Sequence, residues 1–237
     1  MENELRPIVI EGAMKSELDL LLGAMENVYE RTLCGYPVFE GSLGGSPVAV
    51  VRNKVGMINA AVATKAAIDA YKPRCLLSEG TAGGYDANVH TGDIVLGERV
   101  YNINSVHMRP EDCLKLKAIT FGEWRRDLCF EGDRELLSLA EDIRIGSGRV
   151  IRGAMGSADF WSFKTEDICR IQERYGTLCE DMESFAVAQT CAQMKMPCLC
   201  IRVISNNEPA GEAFDENAAV YAQKFTAELI RRIQCTR

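Results

Sequence analysis

Short apolar runs alternate with helix-patterned segments from one end of the sequence to the other, and no Pro/Gly/Ser-rich linker or repeat breaks the rhythm. Strands fed by intervening helices build a shared sheet, so the pattern predicts an α/β fold with a central mixed, twisted sheet flanked by helices. Strands are expected near 7–11 ("PIVIE"), 36–41, 47–53 ("PVAVVRN"), 75–79 ("CLLSE"), 93–101 ("DIVLGERVY"), 149–155, 177–181 and 197–205 ("PCLCIRVIS"). The Ala-rich stretch 57–71 reads as a helix, as does "TEDICRIQERY", which opens with a Thr cap and early acids; 212–234 reads as a long amphipathic helix. Residues 102–133, with Pro110, Trp124 and two charge clusters, read as a long surface loop. With 237 residues and 47% hydrophobic content, the chain can bury one core without disulfide or metal staples, and a single domain over 1–237 is expected.

A net charge of −7 without a long Lys/Arg cluster argues against a nucleic-acid partner and favours a small molecule. The start, "MENELRPIVIEG", is acidic where a signal peptide is basic, and no apolar run reaches membrane-spanning length, so a cytoplasmic protein is expected. The ten cysteines are scattered through apolar segments without a C-x-x-C pair, and His90 and His107 lie far from them in sequence. Reduced, mostly buried thiols are the expectation, with no metal and no organic cofactor.

In sheets fed by helices, ligands gather beyond the carboxyl ends of strands, so three junctions stand out. In "IVIEGAMKSEL" a strand and Gly12 lead to a helix whose first turn holds Met14 and Glu17; on this segment alone, Glu17 reads as an acid complementing the helix dipole. In "LLSEGTAGGYD" a strand breaks into a glycine-rich turn that lets backbone amides approach a ligand, yet it matches neither a Walker loop nor a dinucleotide fingerprint. In "LCEDMESFAVAQTCAQM", Glu180, Asp181 and Glu183 crowd the start of an apolar helix, either as a solvated first turn or as working carboxylates.

Taken in order, "GAMKSE", "NKVG", "EGTAGG", "GDIV", "EDMES" and "RVISN" resemble the 5′-methylthioadenosine/S-adenosylhomocysteine nucleosidases. That family belongs to the purine nucleoside phosphorylase and uridine phosphorylase superfamily. The resemblance covers nearly the whole chain apart from about residues 102–133. It implies a nucleoside phosphorylase-like domain that hydrolyses a purine nucleoside with water, works without a cofactor and forms a homodimer. It implies that Glu17 activates the water with Arg202 near it, and that Met182 and Glu183 hold the ribose. Thr81, with Ala82 and Gly83 in the same glycine turn, falls where the water is placed. Trp161 matches a ring stacked on the purine, and Ser162 a residue whose main chain meets the base edge. Met14 and Val55 match apolar residues around the ribose and water, and Phe214 caps the 5′ end.

Phosphorylases in this superfamily grip phosphate with arginines, one just ahead of the glycine turn; here Ser78 and Glu79 stand there, which favours hydrolysis. The family's proton-donating aspartate is replaced by Asn206, next to Ser205. An amide donates no proton, but it can bind adenine or turn its NH₂ toward a 6-oxopurine. The main expectation is therefore hydrolysis of a methylthioadenosine/S-adenosylhomocysteine-type thionucleoside. The alternatives are, in turn, a 6-oxopurine nucleoside or futalosine hydrolase, a phosphorylase and a non-catalytic nucleoside binder. In the loop, Arg109, Arg125 and Arg126 are either readers of an acidic 5′ group or a solvated charge cluster.

Overall fold

The computed structural model describes residues 6–104, 129–146, 148–162 and 164–236. Its strands are β1 (Ile8–Gly12), β2 (Glu26–Leu33), β3 (Tyr36–Leu43), β4 (Ser46–Arg52), β5 (Leu76–Gly84), β6 (Ile94–Asn102), β7 (Cys129–Glu131), β8 (Val150–Ser157), β9 (Thr177–Asp181) and β10 (Cys198–Asn207). The helices are α1 (Asp19–Ala24), α2 (Met57–Tyr71), α3 (Arg134–Ala140), α4 (Thr165–Tyr175), α5 (Ser184–Gln193) and α6 (Ala218–Cys235).

The sheet runs in the order β10-β6-β8-β9-β5-β1-β4-β3-β2, and β10 also pairs with β5. That extra pairing closes β5, β10, β6, β8 and β9 into a ring, from which β1, β4, β3 and β2 extend as an open arm. Pairing is parallel for β1 with β4 and β5, for β5 with β10, and for β8 with β6 and β9; β10–β6 and β5–β9 are antiparallel. All ten positions of β10 are buried, which is why its sequence reads as a nearly continuous apolar run rather than an alternating one.

Alternation along the outer strands splits the core into two layers. On β1, Ile8 and Ile10 face one layer with Leu77, Ile201 and the α6 residues Phe225 and Leu229, while Val9 faces the other with Val51, Leu76 and Val187. Helix α2 buries Ala60, Ala63, Thr64, Ala67 and Ile68 at helical spacing, and its small side chains let it lie close against α5.

Several expectations need correction. The glycine stretch of "EGTAGG" is not a turn: β5 continues through Gly84, since β9 and β10 hydrogen-bond its last residues. Met14 is the N-cap and Glu17 the last residue of a 3₁₀ turn, Lys15–Glu17, which leads into the short α1. Helix α6 begins at Ala218 rather than 212, so Phe214 lies on the connecting loop. Lys164, not Thr165, occupies the N-cap of α4, with no side-chain capping bond. Strand β2 was missed because its exposed "ENVYERTL" lacks an apolar face. Strand β7 was missed within the stretch read as a loop. His107, Arg109, Pro110, Trp124, Arg125 and Arg126 lie outside the described residues.

Candidate active site

Beyond the end of β1 the chain turns back on itself and presents Glu17 to the end of β5. Oε2 accepts from the Ala13 and Met14 amides at 3.0 Å each, and Oε1 accepts from the Thr81 amide at 2.9 Å and its hydroxyl at 3.0 Å. Four donors from two distant segments fix the carboxylate far more closely than a helix-dipole role requires. A Cβ added at Gly80 would lie 2.8 Å from Oε1, so β5 can pass this close only with glycine there. Helix α6 completes the support. The Gln223 side-chain oxygen accepts from the Leu20 and Leu21 amides at 2.7 and 3.3 Å, while its NH₂ donates to the Ser16 carbonyl at 2.9 Å.

The three acids between β9 and α5 do not form a solvated helix start. Glu180, Asp181 and Glu183 are 4%, 6% and 8% exposed, and each has separate partners. Asp181 caps α5, accepting from the Glu183 and Ser184 amides at 3.1 Å each, and its other oxygen takes the Ser184 hydroxyl. The same oxygen pairs with Arg202 Nε at 2.6 Å. Glu183 accepts from the Gly56 amide at 2.8 Å. Burial, reinforced by the Asp181 charge, pushes the Glu183 carboxyl up to about 7. Glu180 accepts from the Ser162 amide at 2.6 Å and from the Tyr85 hydroxyl.

Between Glu17 and these acids lies a cavity of about 280 Å³. Glu17, Thr81, Ala82, Gly83, Met182, Glu183, Ser205 and Asn206 line its interior, and Met14, Val55, Trp161 and Phe214, each at least 40% exposed, stand around its mouth. Asn206 accepts through Oδ1 from the Ser205 hydroxyl at 3.1 Å, and its Nδ2 has no hydrogen-bond partner among the described residues. A Cβ added at Gly83 would lie 3.7 and 3.8 Å from the two amide atoms of Asn206 and 4.0 Å from Trp161 Nε1, so all three groups converge on one end of the cavity.

Two expected residues stand back from the cavity. Arg202 is not among the lining side chains: it lies behind the wall, fully buried, bound to Asp181 and donating to the Ser78 carbonyl at 3.0 Å and hydroxyl at 3.3 Å. Ser162 is also outside the lining, and its amide is occupied by Glu180. Conversely, Phe160, which the sequence reading gives no role, lines the cavity, as do Glu180 and Asp181, which that reading leaves between a solvated turn and working carboxylates. Phe160 was legible only as a second aromatic beside Trp161.

Glu79 is 1% exposed, neither of its oxygens is hydrogen-bonded, and burial together with the Glu17 charge pushes its carboxyl well above the usual range. Glu79 lies outside the cavity lining and does not meet an incoming anion. What disfavours an anion is the lining itself: Glu17 and Asp181 are there, with no Lys, Arg or His among the described lining residues. The described residues include no group of three or more His, Cys, Asp or Glu placed to hold a metal ion, and no helix long and apolar enough to cross a membrane.

Relatives match this chain from end to end. The 5′-methylthioadenosine/S-adenosylhomocysteine nucleosidase of Chromohalobacter salexigens is 28% identical over 242 residues, covering 97% of this chain and 98% of that protein. The nucleosidase of the same name from Bacillus subtilis is 26% identical over 235 residues, covering 95% and 99%. The structure of the Neisseria meningitidis 5′-methylthioadenosine/S-adenosylhomocysteine nucleosidase in complex with methylthio-immucillin-A superposes with a TM-score of 0.82 at 27% identity, covering 96% of this chain and 99% of that one. The family model described as "Phosphorylase superfamily" matches residues 7–234, and to that superfamily the chain belongs.

Proposed function

We propose that the protein is an N-ribosyl hydrolase that cleaves the N-glycosidic bond of a purine nucleoside of the 5′-methylthioadenosine/S-adenosylhomocysteine type, releasing the base and the ribose. The observation that carries this reading is the Glu17 carboxylate, held by four donors on the wall of a cavity whose described lining is acidic and without a basic side chain. Breaking the C1′–N9 bond builds positive charge on the ribose, which the lining carboxylates on the sugar side stabilise and a water oriented by Glu17 quenches. Glu183 is placed to accept hydrogen bonds from the ribose hydroxyls, with Met182 beneath the sugar. Phe160 and Trp161 flank the base, Met14 and Val55 enclose the ribose, and Phe214 covers the 5′ substituent. Arg202 acts from behind the wall, holding Asp181 and the β5 backbone in place.

The decisive variant is Glu17→Gln. Base release should fall about 10²-fold or more while calorimetric nucleoside affinity stays within an order of magnitude, because the amide keeps the shape and loses the base. A variant with wild-type turnover would leave Glu17 as a structural cap.

One observation favours a second reading, a 6-oxopurine nucleoside or futalosine hydrolase. The Asn206 Nδ2, without a partner among the described residues, offers a donor suited to O6. The ratio of kcat/KM for inosine-type and adenosine-type thionucleosides separates the two. The reading includes a cytoplasmic homodimer: Val55, Ile58 and Val62 form an exposed apolar strip from the cavity mouth along α2, and a sedimentation mass of one chain would remove that part.

A further inference from the structure

A purine departs from C1′ more readily when one of its nitrogens takes up a proton, and Asn206 has none to give. Glu180 stands at the same end of the cavity. It pairs across the β5–β9 ladder with Gly83, the residue facing the Asn206 amide and the Trp161 indole. Although only 4% exposed, Glu180 lines the cavity. The Ser162 amide donates to one of its oxygens and the Tyr85 hydroxyl to the other. We propose that Glu180 is the general acid of the reaction, delivering to the leaving purine the proton that Asn206 cannot supply. This rests on the nucleosidase reading above.

The step balances without a cofactor. The C1′–N9 bond breaks with its electron pair going to the base, and the O–H bond of Glu180 breaks as its proton passes to a base nitrogen. Water forms the new C1′–O bond and loses a proton to Glu17. Exchange with solvent then reprotonates Glu180 and deprotonates Glu17. Burial pushes the Glu180 carboxyl up to about 7, opposed by the hydrogen bonds from Tyr85 and Ser162 and assisted by the charge of Asp181. Tyr85, Asp181 and Cys179 are the titratable groups beside it among the described residues; the Tyr85 hydroxyl and the Cys179 thiol, both pushed upward by burial and by Glu180, stay protonated. The acid form is therefore present below about pH 7 and lost above it.

The test uses the full chain and its Glu180→Gln variant, with kcat measured from about pH 5 to 9 on a purine nucleoside and on a nitrophenyl riboside, whose leaving group needs no proton. On the purine nucleoside, kcat should fall about 10²-fold or more, and the decline above pH 7 should vanish. On the nitrophenyl riboside the loss should stay below about tenfold, which also shows that the variant is folded. Tyr85→Phe removes a hydrogen bond that lowers the Glu180 value, so it should move the alkaline limb to higher pH. Equal losses on both substrates, an intact limb in Glu180→Gln or an unmoved limb in Tyr85→Phe would each overturn the proposal. A wild-type protein that releases no base from any purine nucleoside would instead remove the nucleosidase reading, and the general-acid role with it.

Discussion

Single residues in this protein are placed by what they would otherwise clash with or leave unpaired. Glu17 owes its position to Gly80, which has no Cβ to strike it, and to the Thr81 donors one residue further along β5. Glu11 on β1 shows what burial costs when no such function is at stake. It is fully buried, accepts from Thr64 at 2.8 Å and Asn53 at 3.2 Å, and keeps its other oxygen unpartnered. Burial, only partly offset by those two bonds, pushes its carboxyl from its ordinary 4.5 up to about 7. A carboxyl that holds its proton more tightly when folded favours the folded state at low pH. That advantage shrinks as pH rises from about 4.5 to about 7 and is gone above. Glu11→Gln should therefore raise the thermal midpoint at pH 8, by an amount corresponding to about 1–3 kcal/mol, and give no gain at pH 4. Equal midpoints at pH 8 would show that Glu11 is relieved by a partner other than Thr64 and Asn53.

At the scale of elements, the site depends on a helix that contributes no lining side chain. Helix α6 packs its apolar face, with Phe225 and Leu229 fully buried, on β5 and β10. From that anchored face Gln223 reaches the Leu20 and Leu21 amides and the Ser16 carbonyl, tying down both ends of the segment that carries Glu17. Gln223→Leu keeps most of the volume and strands those groups, at a cost of about 1–3 kcal/mol in stability. Because the stranded groups flank Glu17, kcat should fall about tenfold or more while KM moves little, a split that loss of stability alone would not give. Unchanged kcat in a folded Gln223→Leu variant would show that the Ala13, Met14 and Thr81 donors suffice. The junction of β9 and α5 is built the same way, with Asp181 capping the helix and anchoring Arg202 so that Glu180 and Glu183 on either side are free to face the cavity.

For the whole molecule, the α/β alternation and most strand positions were legible because apolar runs and turn residues report burial directly, as the β10 stretch "CLCIRVISNN" does. The closed ring was not, since the pairing of β10 with both β5 and β6 joins segments far apart in sequence and leaves no local signature. The same holds for the site. Glu17 and Asn206 could be singled out from short motifs, whereas the difference between Glu180, which lines the cavity, and Asp181, which also binds the buried Arg202, depends on which way neighbouring β9 side chains point. Arg202, expected near Glu17, lies within reach of its charge but behind the cavity wall, bound to Asp181.

In this acidic cavity the proposed nucleophile is water, not phosphate. The most direct measurement is base release from 5′-methylthioadenosine in phosphate-free buffer, repeated with added phosphate, with the sugar product identified. The account predicts release at a rate that phosphate does not increase, with free methylthioribose as the product. Release only when phosphate is present, accompanied by a sugar 1-phosphate, would contradict it.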